Sequence, residues 1–203
     1  MSAPVLLEGR GLARSFRRRP VLRGVSLSLH VGEIAGVVGE NGAGKTTLLE
    51  VLAGRLGPDA GEVRVAGRLG YSPQQVELFD TLTAREHFRL FGGALGLAGW
   101  RTEAESWLDR LGFRQHADTL AREASGGTRQ KLNLALALLG DPDVLLLDEP
   151  YAAFDWETYL VFWDLAAELR GRGKALLVVS HLVHDRSKLD VLWSLSGGVL
   201  RCV

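Results

Sequence analysis

The stretch Gly39-Glu40-Asn41-Gly42-Ala43-Gly44-Lys45-Thr46 decides how the rest of this 203-residue chain is read. It fits the pattern G-x-x-x-x-G-K-[ST], and its flanks fit as well. Ahead of it, Glu33-Ile-Ala-Gly-Val-Val38 is a short apolar, β-branched run that predicts a buried strand. Behind it, Thr47-Leu-Leu-Glu-Val-Leu-Ala53 carries one apolar stripe ended by Gly54 and predicts a helix. Glycines in such a turn adopt φ > 0 and bring backbone N–H groups close to an anion. The new helix adds its positive N-terminal end. Lys45 is then placed to reach β- and γ-phosphates, and the Thr46 hydroxyl to ligate Mg²⁺. Residues 39–47 are therefore the candidate nucleotide contact, Thr47 included. A chance glycine-rich turn would explain neither flank.

Working outward, 46% hydrophobic and 24% charged residues describe a globular chain of one ordinary domain, or of one domain with a small insert. Acidic and basic residues balance at 24 each, so no global field recruits nucleic acid. The single cysteine, Cys202, rules out an internal disulfide and fits a reducing compartment. No stretch approaches the ~18 apolar residues of a membrane helix. Met1-Ser-Ala-Pro-Val-Leu-Leu-Glu8 lacks the basic and apolar regions of a signal peptide. A cytosolic protein is expected, one that reaches a membrane only through a partner.

Upstream, Val5–Glu8 and the alternating Val25–Leu29 predict strands, with Ser15-Phe16-Arg17-Arg18-Arg19-Pro20 as a polar turn between them. Its arginines read either as a phosphate contact or as a solvated hairpin loop. Phe16, just upstream of the phosphate loop, reads equally as an adenine-stacking ring or as core. Downstream, Gly61–Gly67 alternates like an edge strand, and Arg68-Leu-Gly-Tyr71 leads into a loop at Ser72-Pro73-Gln74-Gln75. From about Thr83 to Leu139 helical periodicity takes over. Thr83-Ala-Arg-Glu86 is a capping-box match, and Glu103–Leu111 predicts a further helix. Trp100 and Trp107 read as helix packing before they read as a binding face.

Ser125-Gly126-Gly127 is a natural helix start, and also a second possible anion seat. Val144-Leu-Leu-Leu-Asp148-Glu149 predicts a buried parallel strand ending in two carboxylates at the edge where α/β sheets bind ligands. Asp148 would face the Mg²⁺ and Glu149 the attacking water. Trp156–Leu169 predicts an amphipathic helix after Asp155. Ala175–Ser180 is another buried strand, which places His181 at the same edge for a γ-phosphate contact. Val191–Leu195 and Val199–Cys202 close the chain as a hairpin.

In this order the residues resemble the ATP-binding subunit of ABC transporters over nearly the whole chain. Gly39–Thr46 matches Walker A and Val144–Glu149 matches Walker B with its glutamate. Gln74 matches the Q-loop, Ala124-Ser-Gly-Gly-Thr128 the signature and Asp155 the D-loop. His181 stands at the switch histidine and Phe16 at the aromatic A-loop position. Departures are Ala124 for leucine, Thr128 for glutamine, and the D-loop sequence Ala152-Ala153-Phe154-Asp155. The resemblance implies an α/β fold of the P-loop NTPase type: a mixed sheet core with flanking helices and an antiparallel β subdomain, over 1–82 and 140–203. A helical insert over about 83–139 would carry the signature.

It also implies ATP and Mg²⁺ as cofactors. Two subunits, identical or sister, would pair head to tail, each P-loop facing the other's Ser125, Gly126 and Gly127. Glu149, His181, Lys45 and Gln74 would be the catalytic groups, and Thr46, Gln74 and Asp148 would hold the metal. The chain would lie peripherally on the cytoplasmic face of the membrane against a separate permease, with a lean towards export and no nucleic-acid partner. A soluble ATPase of the same superfamily serving cofactor assembly is the alternative. A non-hydrolysing binding module fits less well, since every catalytic residue type is present.

Overall fold

The computed structural model describes residues 3–180 and 186–203. In chain order the elements are β1 (Val5–Phe16), β2 (Arg19–His30), β3 (Ile34–Val38), α1 (Lys45–Leu52), β4 (Ala60–Val65), β5 (Leu69–Ser72), α2 (Ala84–Ala94), α3 (Trp100–Arg110), α4 (Gly126–Leu138), β6 (Val144–Asp148), α5 (Trp156–Gly171), β7 (Ala175–Val179), β8 (Val191–Ser196) and β9 (Val199–Cys202). They build two sheets. One is antiparallel, ordered β2-β1-β4; the other is ordered β5-β6-β7-β3-β8-β9 and is parallel except for β9.

The uniform apolar runs of β6 and β7 follow from their place in the middle of the second sheet, where both faces are covered. Val144, Leu146, Leu177 and Val179 face a cluster shared with Leu48, Leu49 and Leu52 of α1 and with Leu7 and Leu29 of the antiparallel sheet. Leu145, Leu147, Leu176 and Val178 face the opposite cluster, shared with Phe88, Leu108, Leu134 and Phe162 of the helices. The parallel sheet is thus the middle layer.

Three local expectations need correction. β1 runs on to Phe16 instead of ending at Glu8, because its backbone pairs with β2 as far as Phe16 and with β4 as far as Ala13, whatever the side chains. Ser72 belongs to β5, where it pairs with Leu147, and not to the loop that follows. α3 starts at Trp100, where the tight seat against Gly92 fixes the indole: a Cβ there would lie 2.4 Å from its Cγ. Arg17 and Arg18, at φ 46° and 66°, form the exposed two-residue tip of the β1–β2 hairpin, a conformation that follows the twist of the strands.

α2 begins with the full capping box, Thr83 N–H donating to Glu86 Oε2 at 2.8 Å and Glu86 N–H to Thr83 Oγ1 at 3.3 Å. One turn on, His87 is wholly buried. Its Nε2 accepts the Phe79 N–H at 2.9 Å, so Nδ1 carries the proton and donates to the Thr83 carbonyl at 2.8 Å. Burial lowers its pKa below the ordinary 6.5. The unfolded chain takes up that proton as pH falls through about 6.5, while the folded chain resists it, so stability drops on the acid side of that value. The melting temperature should therefore fall less between about pH 7 and about pH 5 in His87→Gln than in the wild type. Parallel curves would remove His87 from the acid sensitivity.

Candidate functional site

Parallel pairing brings the carboxyl ends of β5, β6, β7 and β3 to one edge, where the segments carrying Gln74, Asp148-Glu149, Ser180 and the P-loop leave the sheet. There lies a cavity of about 400 Å³ lined by Phe16, Val21, Asn41, Gly42, Gly44, Lys45, Thr46, Thr47, Gln74, Asp148 and Glu149. Gly39, Glu40 and Ala43 do not line it; they face a neighbouring cavity of about 380 Å³ against the β8–β9 hairpin, which Asn41 and Gly42 share.

The P-loop glycines have separate reasons. Gly44 holds φ 102°, and a Cβ there would come within 2.8 Å of Val21 Cγ1. At Gly39 a Cβ would lie 2.4 Å from the Leu195 carbonyl oxygen. The loop thus threads between β2 and β8 with no room for side chains at either end. Gly44 offers α1 no side-chain cap, leaving the first amides of that helix for an anion. Lys45, 8% exposed, curls back over the loop, its Nζ donating to the carbonyls of Gly39 at 2.7 Å and Glu40 at 3.1 Å.

Asp148 is almost fully buried, and its Oδ2 has no hydrogen-bond partner. Burial raises its pKa and the Glu149 charge adds to the rise, against the Thr46 hydroxyl and Lys45, which lower it. A buried carboxylate oxygen without a donor, in one cavity with the Thr46 hydroxyl and the Gln74 amide, is an oxygen donor set suited to a hard cation, and so fits Mg²⁺. Glu149 stands at φ 50°, a left-handed backbone that costs a non-glycine residue about 1–3 kcal/mol. It is held there on three sides. Its N–H donates to the Val179 carbonyl at 2.9 Å, its Oε2 accepts the Ser180 hydroxyl at 3.1 Å, and its carbonyl accepts Gln130 Nε2 at 3.4 Å.

Phe16 is no core residue: it is 43% exposed, lines the cavity, and carries the Arg14 guanidinium 5.1 Å from its ring centre. Ser125, Gly126, Gly127 and Asp155 lie outside the cavity. Ser125 caps α4, its Oγ accepting the Thr128 N–H at 3.1 Å. Asp155 caps α5, accepting the Thr158 N–H at 2.8 Å; the Thr158 hydroxyl first, and then this N–H, lower its pKa. The two starts adjoin, since a Cβ on Gly127 would sit 3.0 Å from the Ala153 carbonyl oxygen. One chain does not bring this second face to its own P-loop cavity. His181 lies outside the described residues.

Sequence reasoning missed Val21, Ser180 and Gln130. Strand alternation near Phe16 could have suggested Val21. The other two act through buried contacts that no local pattern marks.

Residues 22–152 match the family model described as ABC transporter. The chain is 34% identical over 197 residues to Nod factor export ATP-binding protein I of Burkholderia lata, covering 90% of this chain and 65% of that protein. It is also 34% identical over 210 residues to ATP-binding cassette sub-family A member 7 of Mus musculus, covering 95% of this chain and 10% of that one. The chain thus spans about two thirds or less of the relatives' own length. A solved ATP binding subunit of an ABC transporter superposes with a TM-score of 0.90 at 24% identity, over 98% of this chain and 90% of that one. A dimeric post-hydrolysis state of an ATP-binding cassette bound to ADP and Pi gives 0.90 at 23% identity, over 98% of both. At these identities the structural likeness is one of fold.

Proposed function

The chain belongs to the ABC transporter family, and on that premise we propose that it is a Mg²⁺-dependent ATPase subunit that drives export through a separate transmembrane permease. The observation that carries the reading is the gathering of Lys45, Thr46, Gln74, Asp148 and Glu149 around one cavity at the carboxyl edge of a parallel sheet.

Phosphoryl transfer asks a protein mainly for positioning and charge neutralisation. Lys45 and the open amides of α1 hold the β- and γ-phosphates, and Phe16 stacks on the adenine. Thr46, Gln74 and (through water) Asp148 would hold Mg²⁺, which when bound supplies charge neutralisation across the phosphate oxygens. Glu149 polarises a water whose oxygen attacks the γ-phosphorus as the bond to the ADP oxygen breaks. The products are ADP and inorganic phosphate, with His181 assigned to orient the γ-phosphate. The face formed by exposed Ser125, Gly126 and Asp155 with half-buried Gly127 suits completion of a second subunit's site, head to tail.

Among the described residues no helix is long and apolar enough to cross a membrane. A groove of about 220 Å³ between β5 and helices α2 and α4, lined by Tyr71, Phe91, Leu95 and Leu136, is the seat proposed for the permease. Leu90 and Leu95 stand exposed on α2 and at its end. Export follows the relatives named for Nod factor export. Gentle detergent extraction of the tagged chain from its host should recover it in the membrane fraction with a multi-span polypeptide. Recovery in the soluble fraction with cytosolic partners would move the reading to an assembly ATPase.

A further inference from the structure

Helix α4 buries two carboxamides on successive turns, Gln130 and Asn133, 5% and 6% exposed. At i and i+3 they share a face of the helix, yet they grip different strands' ends. Gln130 Nε2 donates to the Pro150 carbonyl at 3.2 Å as well as to that of Glu149, where the chain leaves β6. Asn133 Nδ2 donates to Ser72 Oγ and to the Pro73 carbonyl, both at 2.9 Å, where the chain leaves β5. The carbonyl partners can only accept, so the amide orientation is fixed by chemistry at both places.

Burying an amide is unfavourable unless its hydrogen bonds are made, and the other buried side chains of α4 include Leu132, Leu134, Ala135 and Leu138, which meet no such cost. Both amides sit where the chain turns out of the sheet beside a proline. One holds the residue before Gln74 and the other the backbone of Glu149 itself. We propose that Asn133 and Gln130 are positioning residues that tie the helix starting at Ser125 to Gln74 and Glu149 together. Any displacement of that helix start then reaches both sides of the nucleotide cavity at once. The proposal deepens, and rests on, the ATPase reading above.

The test uses the near-isosteric Asn133→Leu, with Gln130→Met to probe the other tie. Amide hydrogen exchange, ATP affinity, kcat and melting temperature are followed. Asn133→Leu should speed exchange at Ser72, Gln74 and Gln75 and cut kcat about tenfold, with ATP affinity changed less than about twofold. Adding Gln74→Ala should cost little more, because both changes remove one linked function. Gln130→Met should speed exchange at Glu149 and Tyr151 and lower kcat in the same way. Multiplicative losses in the double variant would overturn the proposal. So would unchanged exchange at Ser72, Gln74 and Gln75, or a parallel fall of melting temperature and affinity with kcat. Should the wild type release no phosphate, the ATPase reading fails on its own, and the exchange measurements still decide whether these ties hold the two segments.

Discussion

Replacing Glu149 by glutamine should leave ATP binding intact and lower steady-state phosphate release by about 10²–10³-fold. The substitution keeps volume and shape, and the new amide oxygen still accepts the Ser180 hydroxyl that holds the carboxylate at 3.1 Å. The left-handed backbone at φ 50° is no worse for glutamine, and its ties to Val179 and Gln130 are main-chain contacts that survive. What is lost is a negative oxygen able to polarise water. The change also removes one of two adjacent acidic charges from the cavity, so affinity for a polyanion should hold or rise. With turnover blocked and ATP retained, a pair of subunits closed around nucleotide should persist. Size-exclusion chromatography with ATP should then show a dimer that the wild type holds only transiently. Near-normal turnover in the variant would take Glu149 out of the reaction.

The site was legible from sequence to the extent that its chemistry is carried by contiguous residues. The P-loop announces itself because Gly39 and Gly44 are forced by two close approaches and one positive φ, and Lys45 and Thr46 sit at fixed offsets from them. Asp148 and Glu149 follow a run of four buried residues whose uniform apolarity reflects a strand covered on both faces. The buried supports of Glu149 were not legible. Ser180 comes from the next strand over and Gln130 from a helix 19 residues upstream, and nothing local distinguishes either from an ordinary polar residue. Phe16 has no local signature, because it is the extension of β1 eight residues past the apolar run that sets its ring at the cavity. Asp155 and Ser125 show the opposite lesson. Both have complete local roles as helix caps, so their geometry within one chain is satisfied without nucleotide, and a role in trans needs the second subunit.

Lys45→Ala should abolish what Glu149→Gln preserves. The ammonium is 8% exposed and held by two carbonyls at the neck of the loop, so its charge acts where water screens it poorly. A hydrogen bond to a charged group contributes about 1.5–3 kcal/mol, and one to two such contacts with phosphate set an affinity loss of about 10²-fold. Lys45→Arg should not rescue it. The planar guanidinium is wider than the ammonium and cannot follow the same path between the carbonyls of Gly39 and Glu40. Loop geometry suffers less, because Gly39 is pinned by Leu195 and Gly44 by Val21 whatever stands at position 45. The melting temperature without nucleotide should therefore move little, while the rise on adding ATP disappears, since stabilisation by a ligand follows its affinity. ATP titration followed by thermal shift measures both at once. No dimer should form on ATP addition in Lys45→Ala, in contrast to Glu149→Gln, and the two variants together separate holding the phosphates from cleaving them. If Lys45→Ala binds ATP within a few-fold of the wild type, the phosphates are not held by this loop, and the cavity beside it binds something else.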